Sequence, residues 1–219
     1  LNYSQKKSNP KTPAYPQFLY DLEKAYSIIV ENEETWKVDI ESIYLLGFSA
    51  GAHLCSLYGN LWNTDFFITH RKPKGILLCY PVVDVEALGH NETVNMQHVI
   101  SDMKETVLHS PFIQACIKAL FGHYPITKEE YHLVNSTAKI NADTHSKFIW
   151  QTFNDEIIDV SKTIEYVNAL YKKKIACEFH LFDKGIHGIS LATEDVTKHL
   201  DMHIQHWTQL AIEWINRNQ

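Results

Sequence analysis

Cysteine, glycine, proline and methionine are all sparse in this 219-residue sequence, and each shortage excludes something. The four cysteines (Cys55, Cys79, Cys116, Cys177) stand alone, with no C-x-x-C pair and no metal-ligand spacing. That excludes a disulfide framework and a cysteine-built zinc site, and a reduced, cytoplasmic protein is the simplest reading. Eight glycines and seven prolines are too few for a fibrous or low-complexity chain. No apolar run reaches the roughly 18 residues of a membrane span. Basic residues never cluster beyond Lys172-Lys173-Lys174, and 20 of them against 26 acidic residues leave a net charge of −6. Nucleic acid is therefore not an expected partner. Methionine occurs only at positions 96, 103 and 202, and the sequence opens on Leu1. An upstream portion is expected, in which a signal peptide would lie if there is one.

What is present is ordinary globular material: 45% apolar and 12% aromatic residues. A chain of this size buries about 70% of its unfolded surface, so one domain holds without staples. Apolar periodicity alternates between two kinds. Phe18, Leu19, Leu22, Ala25, Tyr26 and Ile29 recur at helical spacing after Pro16, which suits a first helical turn. Residues 1–3 read as the tail of a strand. Residues 43–48, 75–83, 147–152 and 176–182 read as strands, the first a short uninterrupted apolar run as in a strand buried on both faces. Helices are expected after residue 49 (Leu54, Leu57, Tyr58, Leu61), over 161–173 (Ile164, Val167, Leu170) and over 201–216. The last carries Leu200, Ile204, Trp207, Ala211 and Trp214. This alternation predicts an α/β fold with a mostly parallel sheet flanked by helices. The connection from about 85 to 140 is far longer than a crossover needs. Its stripe Ile113, Cys116, Ile117, Leu120, Phe121 marks a helical cap inserted into one domain spanning 1–219.

Gly47-Phe48-Ser49-Ala50-Gly51 fits G-x-S-x-G, the nucleophile elbow. A reactive serine must stand on a sharp strand-to-helix turn, where both flanking glycines are expected to be forced by close approach. The Ala50 N–H and the helix start then face the place where an oxyanion forms. This composition yields roughly 0.016 chance matches to the motif, and here it also follows a strand and opens a helix. The alternative is a serine that merely N-caps a helix. A serine nucleophile needs a base and an orienting acid, in the chain order Ser, Asp or Glu, His. Of 13 histidines, His187 lies in a loop beyond the last strand between Gly185 and Gly188, whereas His180 lies within the strand. Asp155, Glu156 and Asp159 follow the third strand. Asp155 comes first after the strand, and Asp159 is better placed to start the next helix.

The run from Gly47 to Leu54 resembles α/β-hydrolase esterases of the acetyl-xylan-esterase-like, sugar-ester-hydrolase branch. Their elbow commonly reads G-F-S-A-G-G-H-L, from which Ala52 departs. Phe148-Ile149-Trp150-Gln151-Thr152-Phe153-Asn154-Asp155 resembles their acid-bearing strand and turn, and His187-Gly188-Ile189-Ser190-Leu191-Ala192 their histidine segment. The resemblance implies an α/β-hydrolase fold with Ser49 as nucleophile, His187 as base and acid, and Asp155 as orienter. It also implies short-acyl substrates, acetyl on a sugar among them, and it asks for no cofactor and no metal. Such enzymes carry a His-Gly-Gly loop that supplies a second oxyanion donor, and no H-G-G occurs in these 219 residues. Their sheet also places a strand beside the nucleophile strand, without which residues 43–48 would be an exposed apolar edge. Missing N-terminal strands, in roughly 60–70 further residues, are the expectation.

Smaller signals have blander readings. His199, His203 and His206 share a helical stripe but lack H-E-x-x-H, and read as a solvated flank. His53 reads as packing beneath the elbow. The cap stripe serves equally as acyl pocket or as the buried face of a cover, and leaves a homodimer open. Asn2, Asn91 and Asn135 begin N-x-S/T triplets, which matter only in a secreted chain. The function expected is a serine carboxylic-ester hydrolase acting on a small-molecule ester. Its rivals are an amide hydrolase (peptidase or arylformamidase) on the same residues and a catalytically impaired binding protein.

Overall fold

A computed structural model describes residues 14–85, 111–197 and 200–218. Four parallel strands, β1 (Tyr44–Phe48), β2 (Gly75–Cys79), β3 (Lys147–Thr152) and β4 (Cys177–Phe182), lie side by side in chain order. Nine α-helices accompany them among the described residues: α1 (Gln17–Glu31), α2 (Glu33–Trp36), α3 (Ala50–Leu61), α4 (Pro111–Phe121), α5 (Lys128–Val134), α6 (Val160–Lys172), α7 (Glu194–Thr197), α8 (Met202–Gln205) and α9 (Trp207–Arg217).

Side chains alternate across the strands and build two cores. Leu77, Cys79, Phe148 and Trp150 meet Trp207, Ala211 and Trp214 of α9 on one face. Ile76, Leu78 and Ile149 meet Ala52 and Cys55 of α3, with Tyr166 and Leu170 of α6, on the other. The helix α1 lays Phe18, Leu19 and Leu22 over Leu54, Leu57 and Tyr58 of α3. Between β2 and β3, α4 and α5 bury Ile117, Tyr131 and Val134 against Val82, Val85 and Ile158.

Several boundaries differ from the sequence reading. Pro16 precedes α1 rather than lying in its first turn. The strand β2 stops at Cys79 because Tyr80 takes a positive φ of 39° and Pro81 follows it. In α6 the buried stripe is Val160, Thr163, Tyr166 and Leu170, so Ile164 points outward and is exposed. The closing helix is broken at His206, and Leu200 is exposed ahead of it. Nor is β1 buried on both faces: it lies at one edge of the described sheet, and Leu46 is 46% exposed. Residues 1–3, His199, the triplets at Asn2 and Asn91, and 86–110 of the expected cap fall outside the described residues.

Candidate active site

The site forms at the carboxyl ends of the strands, where open parallel sheets gather their chemistry. Ser49 follows β1 directly and precedes α3, with φ 52° and ψ −115°, a conformation that costs about 1–3 kcal/mol and turns the side chain out of the strand. Its N–H donates to the Cys79 carbonyl oxygen (2.9 Å), and its own carbonyl accepts from the His53 N–H (3.1 Å). Gly47 is required by close approach, because a Cβ there would lie 2.3 Å from the Gly51 carbonyl oxygen. The same expectation fails at Gly51, where a Cβ would meet nothing within 4 Å. The crowding is one-sided: Gly51 contributes the backbone that Gly47 must clear. Ala50 is the first residue of α3, so its N–H belongs to the first turn, which lacks intrahelical acceptors.

The structure brings together the three side chains singled out from the sequence. Ser49 Oγ lies 2.9 Å from His187 Nε2, and His187 Nδ1 lies 2.8 Å from Asp155 Oδ2. Asp155 is buried, and its Oδ1 accepts the N–H groups of Ile157 and Ile158, both at 2.9 Å. With the Nδ1 proton donated to this carboxylate, Nε2 is left as the acceptor for the serine hydroxyl. Of the rival acids, Asp159 accepts from the Ser161 N–H and caps α6, while Glu156 is exposed. His180 contacts Glu178 on β4 instead of Ser49. His53 is buried and donates to the Val134 carbonyl oxygen (2.7 Å), and burial holds its pKa below the usual histidine range. His203 and His206 join no group of three or more potential metal ligands among the described residues.

Three contributors escaped the sequence reading. Gln151 is buried in β3 and directs its amide nitrogen at Asp155 Oδ2 (3.4 Å) and the Ile158 carbonyl (3.1 Å). A glutamine interrupting the apolar run Phe148-Ile149-Trp150 was the available signal. Thr152 Oγ1 donates to the Gly185 carbonyl (3.0 Å), and the Gly185 N–H donates to Asn154 Oδ1 (2.8 Å). The acid-bearing turn thereby clamps the backbone two residues before His187. A Cβ on Gly185 would also lie 2.6 Å from Ile204 and 2.7 Å from Thr152, at φ +148°.

Chemically, an imidazole held between a buried carboxylate and a serine hydroxyl can take the hydroxyl proton as the oxygen attacks a carbonyl carbon. The BD-FAE family matches residues 2–170, which include Ser49 and Asp155 and end before His187. The chain belongs to the BD-FAE family. Two relatives are similar over most of this chain. An endo-1,4-beta-xylanase B from Butyrivibrio fibrisolvens is 26% identical over 189 residues, covering 84% of this chain and 26% of the relative. An acetylxylan esterase from Xylanibacter ruminicola is 22% identical over 176 residues, covering 79% of this chain and 31% of the relative. This BD-FAE chain thus spans about a quarter to a third of the length of these relatives. Among solved structures, a sugar hydrolase from Lactococcus lactis is 26% identical with a TM-score of 0.75, covering 99% of this chain and 74% of its own. An acetyl ester-xyloside bifunctional hydrolase from Caldicellulosiruptor lactoaceticus is also 26% identical, with a TM-score of 0.72, covering 99% and 70%. The fold of this BD-FAE chain is that of the α/β hydrolases.

Proposed function

We propose that the protein is a serine carboxylic-ester hydrolase that works through an acyl-enzyme and acts on short-acyl esters, acetyl groups on a sugar foremost. The observation that carries the reading is the continuous relay Ser49 Oγ–His187–Asp155, with contacts of 2.9 and 2.8 Å. Ser49 Oγ attacks the ester carbonyl while His187 Nε2 takes its proton. Asp155 holds the imidazole in the tautomer that makes this possible and stabilises the imidazolium that results. The Ala50 N–H, at the positive end of α3, donates to the oxyanion of the tetrahedral intermediate. His187 returns the proton to the leaving alcohol, and then directs water onto the acyl-serine by the same route in reverse. None of these steps calls on a metal or cofactor.

The acyl and alcohol preference rests on likeness. The Xylanibacter relative is named an acetylxylan esterase, and the Caldicellulosiruptor structure is titled an acetyl ester-xyloside bifunctional hydrolase. Glycoside hydrolysis needs two carboxyl groups flanking the bond. Among the described residues this site offers one buried carboxylate committed to a histidine, which favours the ester half of that pairing. The test is fluorophosphonate labelling with mapping of the modified peptide, alongside turnover of 4-nitrophenyl acetate, longer acyl esters, acetylated xylan and formamide or peptide substrates. Labelling at Ser49, lost in Ser49→Ala, with turnover of acetyl esters ahead of amides, is the expected result. A protein that hydrolyses esters unchanged after Ser49→Ala, or that prefers the amides, overturns the reading.

A further inference from the structure

The strand β2 lies between β1, which leads into Ser49, and β3, which leads to Asp155, so its own end points into the middle of the relay. The residue just past that end is Tyr80, and three observations single it out. Its backbone has φ 39°, in the left-handed region where a bulky residue is a true outlier and where strain persists only if the surroundings enforce it. Its ring stands against the His187 imidazole, with centroids 5.0 Å apart and planes at 71°. Its hydroxyl end lies beside Ser190, three residues beyond that histidine.

The enforcement comes from both neighbouring strands. The Tyr80 N–H donates to the Trp150 carbonyl oxygen (2.7 Å) in β3, and the preceding Cys79 carbonyl accepts the Ser49 N–H (2.9 Å). The buried ring packs edge-on to Trp150 (5.1 Å) and against Phe48 (5.8 Å), which leaves it little room to move. Two hydrogen bonds define where the imidazole nitrogens point, but they do not stop the ring from swinging away as a unit when either partner moves. Tyr80 supplies a wall on the ring itself, and the neighbouring Ser190 is pinned because its carbonyl accepts from Trp207 Nε1 (2.9 Å).

We infer that Tyr80 is a positioning residue for His187: the strained end of β2 holds an aromatic wall against the imidazole so that it stays between Ser49 and Asp155 through the proton transfers. Tyr80 itself exchanges no proton with the substrate. The inference concerns the ring and asks nothing of the hydroxyl.

The role rests on the ester-hydrolase reading for its rate consequence and on geometry alone for its structural one, so the test reads both. In the purified protein, Tyr80→Leu removes the ring and should lower kcat for 4-nitrophenyl acetate by about 10- to 100-fold with little change in KM, the cost of a slightly misplaced catalytic group. Tyr80→Phe keeps the ring and should restore most of the rate. Tyr80→Asn suits a left-handed backbone and provides a ringless variant should the leucine variant fail to fold. Long-range proton–nitrogen spectra of the His187 ring should show one hydrogen-bonded tautomer in the wild type and Tyr80→Phe, and exchange averaging in the ringless variants. Wild-type kcat in a folded ringless variant overturns the inference, as does a loss confined to KM. If the wild type proves inactive on esters, the functional reading fails by itself. The spectra still decide the positioning role: a His187 ring unchanged by Tyr80→Asn overturns it.

Discussion

At the scale of single residues, the carboxylate that serves His187 is divided between two tasks. Asp155 Oδ1 accepts two backbone N–H groups and so holds its own turn together, while Oδ2 faces the imidazole. Asp155→Asn can keep the first task by presenting its carbonyl oxygen to Ile157 and Ile158. It then offers an N–H₂ to His187 Nδ1, which must become the acceptor and place its proton on Nε2, where Ser49 needs a base. Turnover should therefore fall by about 10³–10⁴-fold with the fold retained. Ester kinetics beside an unfolding curve will check it; a variant with wild-type kcat would remove Asp155 from the relay. The motif gave Ser49 away by itself. Asp155 was distinguishable from Asp159 only by its place relative to the strand end, and the reason lies in which donors each meets: a histidine and its own turn in one case, the start of α6 in the other.

At the scale of elements, the elbow joins β1 to α3 with no slack. The Cβ-sized gap exists on one side only, so the two motif glycines are not equivalent. Gly47→Ala drives a methyl group into the Gly51 carbonyl and must open the strand–helix junction. It should lower stability by about 2–4 kcal/mol, in the range of overpacking and strained-backbone changes. Gly51→Ala places a methyl in open space within a helix and should be neutral or slightly stabilising, since alanine favours helix. Urea unfolding of the two variants measures the difference, and equal costs would contradict the geometry. The strand and helix types of β1, β3, β4, α1 and α3 were legible from periodicity. The short α5 was not, because its signals are local. Thr127 and Glu130 form a capping box, and its buried Tyr131 and Val134 depend on partners brought from the end of β2 and from α4. The end of β2 was also hidden, because the turn at Tyr80 is imposed by aromatic neighbours from other strands.

At the scale of the whole molecule, the core beneath α3 and α6 contains an ionisable group far from the site. Lys147 opens β3 fully buried, beside the backbone of Gly59, and its Nζ has no hydrogen-bond partner among the described residues. Burial lowers its pKa from 10.5 to about 7. The sign follows from proton counting. Below about pH 7 the folded protein must carry a buried charge that water would solvate better in the unfolded chain, and the cost is complete. From about 7 up to 10.5 the unfolded lysine binds a proton that the folded one does not, so stability rises with pH by roughly 1 kcal/mol per unit from this group. Lys147→Met should stabilise the protein at neutral pH and remove this rise. Urea unfolding at several pH values between 6 and 10 tests it, and an unchanged pH slope in the variant would show that Lys147 keeps its ordinary pKa. Among the described residues no helix is long and apolar enough to cross a membrane.

The sequence by itself determined what depends on neighbours along the chain. Alternating periodicities dictated strands and helices, and G-F-S-A-G at a strand-to-helix junction dictated a serine at the head of α3. Those properties are local: a helical stripe, a turn, a residue without a side chain. Tertiary structure decided everything that requires distant segments to arrive at one place. It carried His187, already favoured over His180 by its place beyond the last strand, to within 2.9 Å of Ser49, while His180 stays with Glu178 on β4. It aligned Gln151 behind Asp155, and it set Tyr80 against the imidazole. It buried Lys147 at a strand position that composition alone would have sent to water. Contacts across 138 residues, as between Ser49 and His187, are fixed only when the sheet order is fixed.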